Sequence, residues 1–550
     1  MKLYTTKDSP SAEKLRGGYY TPTPIARFLA RWVGESGPKI LEPSCGDGQI
    51  LTELSDVVGP EQLEAVELFR EEAEKATRST GVQVAVGDFF EWFEDEAWGS
   101  FDGVAGNPPY IRFGHWPEPA RGPAMNFMER AELAPSRLTN AWVPFTAASI
   151  LAVRSGGRIG LVLPAELMQV SYAAQLREFL MSRCAHLTLV SFRRLVFEGV
   201  LQEVVLLLAE RGPGPATIRT YELGDASELS NISPTDAGAE APMLSHDREK
   251  WTKYFLKPHQ IELLRRIRSD AQLPELGLHA SVEVGVVTGR NSFFTMRPTE
   301  AAERGIDAWC RPLVARSNQL AGLTYTGADL SRHRSSDVRC MLLALDDDMF
   351  DDEGEVITHL PGRTVPEIAA LMDYLESGRA GDVPDGYKCS IRRNWAVVPS
   401  TWIPDGFMLR QIHHHPVLTA NDTQAVSTDT VHRVRLLGSA TARQLSAAAF
   451  NSATFAFAEI LGRSYGGGIL ELEPSEARSL PVVNPHAIEP ELAAQLDVLV
   501  RAGEGHEALN LADKALLIQG LGWEEDAVTS LREAWTLLRD RRQRRGRSSG

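Results

Sequence analysis

The first 210 residues alternate short apolar runs with amphipathic stretches of helical spacing, and no other feature constrains the fold as much. A strand that returns parallel to its neighbour needs a crossover long enough for a helix, so repeated strand–helix units specify an α/β domain with a largely parallel sheet. Candidate strands are Lys39–Leu41, Gln62–Val66, Gln83–Val86, Gly103–Ala105, Arg158–Leu163, Leu187–Ser191 and Val204–Ala209, with helical patterns at Pro24–Val33 and Tyr172–Arg183. From Arg211 to Glu240 the chain turns to Gly, Pro, Ser and Ala, which reads as a linker or irregular connector. Residues 250–485 show short apolar segments between turns and few long helices. Pro490–Arg539 returns to helical spacing and leads into the basic run Arg541–Arg547. At 550 residues the chain exceeds one hydrophobic core, so two to four domains are expected. The division expected is 1–245, 246–487 and 488–550.

Composition narrows the class. No run of about 18 apolar residues exists, and Met1–Pro10 lacks the apolar core of a secretory signal. The five cysteines form no CxxC pair, which argues against a zinc cluster and a disulfide framework. A reduced, cytoplasmic protein with no membrane partner and no metal is expected. The net charge of −16 argues against nucleic acid, but the charge is unevenly placed. Residues 1–249 carry 23 basic and 34 acidic side chains, whereas 250–480 carry 25 and 28, and 481–550 carry 9 and 11. Arg outnumbers Lys by 47 to 10, and Arg suits bidentate contact with phosphate and guanine. Nucleic acid therefore stays open as a partner. The acidic run Asp346–Glu355 reads as a solvated loop.

Four strand ends carry the chemistry. Residues 40–51, ILEPSCGDGQIL, place a glycine turn between an apolar strand and a helix, where backbone amides can approach a ligand. Glu67 closes the next strand, about 20 residues on, where nucleotide-binding α/β folds present a carboxylate to ribose hydroxyls. The turn is not GxGxxG, which disfavours a nicotinamide cofactor. A third strand ends at Asp88-Phe89, an acid and an aromatic suited to a purine amine and ring. The strongest signal is Phe101–Tyr110, where a buried strand delivers Asn107-Pro108-Pro109-Tyr110 to the carboxyl edge of the sheet. An exocyclic NH2 is a poor nucleophile because its lone pair is delocalised. Asn107 Oδ1 and the Pro108 carbonyl can bind both its N–H groups and draw nitrogen toward sp3 geometry. Proline fixes φ and so fixes that carbonyl, while Tyr110 offers a face on which a base can stack.

GNPPY, preceded in order by EPSCGDG, VEL and GDFF, resembles the gamma-class N6-adenine DNA methyltransferases of restriction–modification systems, which use S-adenosylmethionine. The resemblance covers about 190 residues. It extends to Gly18-Tyr-Tyr-Thr-Pro22, to Asn140–Phe145 ahead of Gly156–Pro164, and to Leu195-Val-Phe197. It implies a Rossmann-like S-adenosylmethionine methyltransferase sheet with helices on both faces over 1–245. A mixed α+β DNA target-recognition region (246–487) and a helical C-terminal segment with a basic tail (488–550) would follow. It implies that Thr21, Glu42, Ser44 and Gly46 hold the amino-acid end of the cofactor, that Glu67 binds its ribose with Leu68 beside the adenine, and that Asp88 and Phe89 hold that adenine. Pro109 and Phe145 would line the same pocket. Asn107, Pro108 and Tyr110 would receive the target base, with Phe197 stacking on its other side. The chain departs from the family pattern at Ser44 and Asp47.

The reaction so implied is in-line transfer of methyl to nitrogen, with the base flipped from the duplex and no covalent enzyme intermediate. Cytosine C5 transfer needs a cysteine, typically after proline; none of the five follows one, and Cys45 reads as a small packed residue. N4-cytosine transfer uses similar chemistry and stays open beside N6-adenine. Protein-glutamine N5 methylation and a non-catalytic DNA-binding subunit of the same fold are the rival readings. No Asp or Glu stands two positions before any of the ten lysines, so a fused nuclease of the acid-x-Lys type is not expected, and a separate restriction endonuclease stays open. The expected partner is double-stranded DNA, bound by a monomer. Segments Ser281–Phe294 and Leu461–Pro485 resemble parts of target-recognition regions. Candidate DNA contacts are Arg290, Arg316, Lys388, Arg392, Arg393 and Arg410. His413-His-His415 reads as a surface or DNA-edge feature, since neighbours on a strand point to opposite faces. Residues 115–140 read as a long loop able to order on DNA, and Arg541–Arg547 as either a phosphate-binding arm or a disordered tail.

Overall fold

The computed structural model describes residues 21–94, 97–194, 196–197, 203–232, 250–465 and 468–547. The chain forms two compact units, Met1–Ile261 with Ser464–Gly468 and Asp540–Gly550, and Glu262–Arg463 with Ile469–Arg539.

The first unit is built on an eight-stranded sheet. Its strands are β1 (Ile40–Glu42), β2 (Leu63–Glu67), β3 (Val84–Val86), β4 (Phe101–Gly106), β5 (Val153–Pro164), β6 (Cys184–Phe192), β7 (Val204–Arg211) and β8 (Thr217–Leu223). They lie in the order β3-β2-β1-β4-β5-β7-β6-β8. The first five run parallel, β7 is antiparallel between β5 and β6, and β8 is parallel to β6. Helix α1 (Thr23–Gly34) precedes β1, and the connections between strands include α2 (Gln49–Val58), α3 (Arg70–Thr80), α4 (Phe89–Trp92), α5 (Glu118–Arg130), α6 (Trp142–Ala152) and α7 (Ala174–Arg183). Ile25, Leu29, Leu51, Leu54 and Ala73 of α1 to α3 share one core cluster with Val162, Val190 and Leu206 of the sheet. Helix α6 is apolar all round and every residue of it is buried, as a helix with no solvent face requires. This is the largely parallel α/β sheet that the strand–helix alternation predicts, in the Rossmann-like arrangement that the resemblance implies, and the order reverses between β1 and β4. Ligands of such sheets bind outside the carboxyl ends of the strands at that point.

Two segments differ from expectation. Thr217–Leu223, inside the predicted connector, is the edge strand β8. Its β-branched and aromatic residues suit a strand, and the Gly and Pro around it mask that pattern. The predicted loop 115–140 contains helix α5, begun by Pro117 at its N-cap and Pro119 in its first turn, where a missing N–H costs nothing. Ala124, Phe127 and Met128, at helical spacing, are its buried face. Residues 233–240 of the connector lie outside the described residues, as do 241–249, Gly18–Tyr20 and Leu195.

The second unit holds a four-stranded and a five-stranded sheet. The first orders β10 (Thr295–Met296), β13 (Met341–Leu343), β11 (Cys310–Val314) and β17 (Val426–Ser427). The second orders β12 (Thr324–Tyr325), β16 (Leu418–Asn421), β14 (Gly406–Leu409), β18 (Val431–Leu436) and β9 (Ala280–Glu283). Strand β15 (Gln411–Ile412) pairs outside these sheets with Ile469–Glu471. The 16-residue helix α8 (Val365–Ala380) packs Ile368, Leu371, Tyr374 and Leu375 into the core of the smaller sheet. Helices α9 (Ser452–Leu461), α10 (Pro490–Arg501) and α11 (Gly505–Ala512) follow.

The histidine triplet divides. His413 and His414 are exposed, whereas the His415 ring stacks on Phe455 at 4.8 Å, and burial lowers its pKa. No group of metal ligands occurs among the described residues. The basic tail is neither a free arm nor disordered at its start, since α12 runs Glu525–Arg547. Arg541 meets Glu222 of β8 at 2.6 Å and lies over the Phe255 ring, and Arg542 donates to the Gly468 carbonyl. No helix among the described residues is long and apolar enough to cross a membrane.

Candidate active site

The turn after β1 rests on two glycines with different tasks. Gly46 and Gly48 both take positive φ, 55° and 92°, which favours glycine over residues carrying a Cβ. A Cβ on Gly48 would meet the Cα and Cβ of Ala76 at 3.0 Å, so this glycine lets α2 and α3 approach. A Cβ on Gly46 would meet nothing within 4 Å, so that backbone faces open space. Cys45 N–H donates to the Val66 carbonyl at 3.1 Å and Gly46 N–H to Glu67 Oε2 at 2.9 Å, which fastens the turn to β2. Glu67 Oε1 accepts from Phe69 N–H at 2.9 Å.

Carboxyl groups converge there. Glu42 is 2% exposed, and its Oε2, like the Ser44 hydroxyl, is buried and has no hydrogen-bond partner among the described residues. Burial, reinforced by Glu67 and Asp47, pushes Glu42 well above the usual carboxylate range. Burial also raises Glu67 and Asp47. Burial and the neighbouring Glu42 push the Cys45 thiol far up, so it is a packed residue and no thiolate. Unsatisfied buried oxygens beside an open backbone turn fit a polar, cationic ligand such as the amino-acid and sulfonium end of S-adenosylmethionine.

At the end of β3, Asp88 caps α4, its Oδ1 accepting from Phe90 N–H at 2.9 Å and Glu91 N–H at 3.2 Å; burial raises its pKa. Phe89 stacks on Phe145 at 5.3 Å within an aromatic cluster that includes Phe90 and Phe93. Leu68 is 47% exposed beside Glu67. Of the predicted cofactor residues, Glu42, Ser44 and Gly46 thus lie at the carboxyl end of β1, Glu67 and Leu68 at that of β2 and Asp88 and Phe89 at that of β3, while Thr21 precedes α1, Pro109 follows β4 and Phe145 lies in α6.

Asn107 follows β4. Its Nδ2 donates to Thr21 Oγ1 at 3.2 Å, and the Tyr110 hydroxyl lies 3.0 Å from Asn107 Oδ1 and 3.0 Å from the Val162 carbonyl. Thr21 is buried, Pro108 is buried, and Pro109 and Tyr110 are half-buried. Phe197 is 6% exposed, within the core cluster against which Tyr110 packs. The Thr21–Asn107 bond spans 86 residues, and no local pattern announces it or the Val162 carbonyl.

The DNA candidates separate into two kinds. Arg290, Arg316, Lys388 and Arg393 are exposed, although Arg290 also donates to the Gly381 carbonyl at 2.6 Å. Arg392 instead donates to the carbonyls of Val287, Thr288 and Trp395, and Arg410 is held by Glu471 at 2.6 Å and Glu473 at 3.2 Å. Both of these side chains are committed to the protein's own structure.

The Eco57I restriction-modification methylase model matches residues 61–197, which hold the NPPY segment, and the model of the type II methyltransferase M.Eco57I C-terminal domain matches residues 248–517. The chain belongs to the Eco57I restriction-modification methylase family. Among its relatives, the type II methyltransferase M.AccI of Acinetobacter calcoaceticus is 22% identical over 358 residues, covering 61% of this chain and 63% of its own. The type II methyltransferase M.XamI of Xanthomonas campestris pv. amaranthicola is 23% identical over 491 residues, covering 85% of both chains. The fold is shared with the type IIL restriction-modification enzyme MmeI, solved in complex with DNA, at a TM-score of 0.57 and 10% identity over 96% of this chain and 75% of that one. In this Eco57I-family chain the segment matched by the methylase model begins just before Glu67 and ends at Phe197.

Proposed function

We propose that this chain is a site-specific DNA adenine-N6 methyltransferase, the modification enzyme of a restriction–modification system, acting as a monomer on duplex DNA. Its companion would be a restriction endonuclease on a separate polypeptide. The observation that carries the reading is the Asn107 side chain at the carboxyl end of β4, its amide nitrogen engaged by Thr21 and its oxygen by the Tyr110 hydroxyl. S-adenosylmethionine, when bound, supplies a methyl group on a sulfonium that needs no further activation. Glu42, Ser44 and the Gly46 turn would hold its amino-acid end, Glu67 its ribose, and Asp88, Phe89 and Phe145 its adenine side. Asn107 Oδ1 and the Pro108 carbonyl accept the two N–H bonds of the flipped adenine, concentrate its lone pair and stabilise the positive charge that develops on N6. Tyr110 stacks on the extruded base and offsets part of the unstacking cost. Residues 246–487 are the target-recognition region, with Arg290, Arg316, Lys388 and Arg393 as its candidate contacts.

Single-molecule sequencing of DNA from a host expressing the chain tests this reading. N6-methyladenine at one recurring sequence is expected. DNA without modified adenine, or methyl label found in protein alone, overturns it.

A further inference from the structure

Two acceptors among the described residues lie 3.0 Å from the Tyr110 hydroxyl, Asn107 Oδ1 and the Val162 carbonyl, and the hydroxyl has one proton to give. Its ring packs against the core cluster, so the hydroxyl is not free to wander. On the proposed methyl-transfer reading, on which this inference rests, Asn107 Oδ1 is also the oxygen that the target amine must donate to. When it donates to Asn107 the hydroxyl takes one of that oxygen's two lone-pair sites and weakens the oxygen as an acceptor for the amine. Donation wholly to Val162 leaves the hydroxyl satisfied when the amine arrives, so no buried donor is orphaned by the exchange. The far end of the amide is engaged as well, since Asn107 Nδ2 reaches Thr21 Oγ1 at 3.2 Å. An amide that turned over would offer the amine a donor instead of an acceptor.

We propose that Tyr110 has a second task beside stacking: its hydroxyl holds the Asn107 oxygen toward the target base, then yields that oxygen to the incoming amine and passes its hydrogen bond to the Val162 carbonyl. Thr21 is the positioning residue that keeps the amide from turning. Three elements supply the device, the segment before α1, the segment after β4 and the carboxyl-terminal part of β5.

Initial rates on unmethylated mixed-sequence plasmid DNA at saturating S-adenosylmethionine test it in the full chain. Tyr110→Phe keeps the stacking face and removes the competing donor. KM for DNA is expected to fall roughly two- to tenfold, the range of one neutral hydrogen bond, while kcat also falls because the amide is less well held. Thr21→Val is expected to lower kcat with KM for DNA unchanged, and Thr21→Ser to restore most of it. An unchanged or raised KM in Tyr110→Phe overturns the exchange, since a hydroxyl that only anchors the ring weakens binding when lost. Wild-type kcat in Thr21→Val overturns the role of Thr21. Wild-type protein that leaves DNA unlabelled overturns the methyl-transfer reading itself, and the two failures are thereby distinct.

Discussion

Gly46 donates its backbone N–H to the carboxylate of Glu67 at 2.9 Å, joining the glycine turn after β1 to the last residue of β2. The second oxygen of Glu67 accepts from Phe69 N–H, and a carboxylate retains further lone-pair sites for ligand hydroxyls. Glu67→Ala is expected to weaken S-adenosylmethionine binding by about tenfold or more, the effect of losing one hydrogen bond to a charged group, as measured by calorimetry. Undiminished affinity would remove Glu67 from the cofactor site.

Alanine at two glycines should be felt in different assays. Gly46→Ala adds a methyl to open space at φ 55°, so it should cost only about 1–2 kcal/mol of stability while obstructing the cofactor. Gly157→Ala places its methyl 2.4 Å from the Asp102 carbonyl oxygen and from Val153 Cγ1, an overlap costing at least about 1–3 kcal/mol because backbone must move. Denaturant unfolding alongside cofactor calorimetry separates the two effects.

Glu42 links stability to pH. Burial, then Glu67 and Asp47, raise its folded pKa well above the ordinary carboxylate value. A raised folded pKa contributes stability that is fully present below the unfolded pKa and is lost as pH rises through the folded one. Glu42→Gln removes that loss. The ligand-free variant should melt near the wild type at about pH 4.5 and above it at alkaline pH, by on the order of 2–4 °C for each kcal/mol relieved. A thermal melt series across that range checks the sign.

Arg410 and Arg393 should fail in different assays. Arg410 is paired with Glu471 and Glu473, whereas Arg393 is exposed. Arg410→Ala should lower the melting temperature. Arg393→Ala should leave it unchanged and, where Arg393 meets a phosphate, reduce the slope of log K against log salt for DNA binding by about one unit.

The sheet was legible because parallel strands are short apolar runs and their crossovers are helical, and all seven predicted strands fall on observed ones. The place of the candidate site was legible at strand ends, where Gly46, Glu67, Asp88 and Asn107 stand at the carboxyl edge of the sheet. What was not legible depends on distant partners. β8 forms because β6 offers an open edge at Leu187 and Val190, which the composition of 211–240 does not reveal. Helix α5 carries prolines that read as loop, and only its buried Phe127 face, packed on Phe90 and Phe93, discloses it. His415, Arg392 and Arg410 look like surface groups in the sequence. Their roles come from Phe455, from three carbonyls and from two glutamates that no local spacing announces.

The central claim is methyl transfer to adenine N6 through Asn107. Purified wild type and Asn107→Ala, each incubated with labelled S-adenosylmethionine and unmethylated mixed-sequence DNA, are compared by digesting the DNA to nucleosides and separating them by mass spectrometry. The wild type should place label in N6-methyladenosine deoxynucleoside alone, and Asn107→Ala should place none while still binding the cofactor. Label in a cytosine nucleoside, or full activity in Asn107→Ala, would contradict the account.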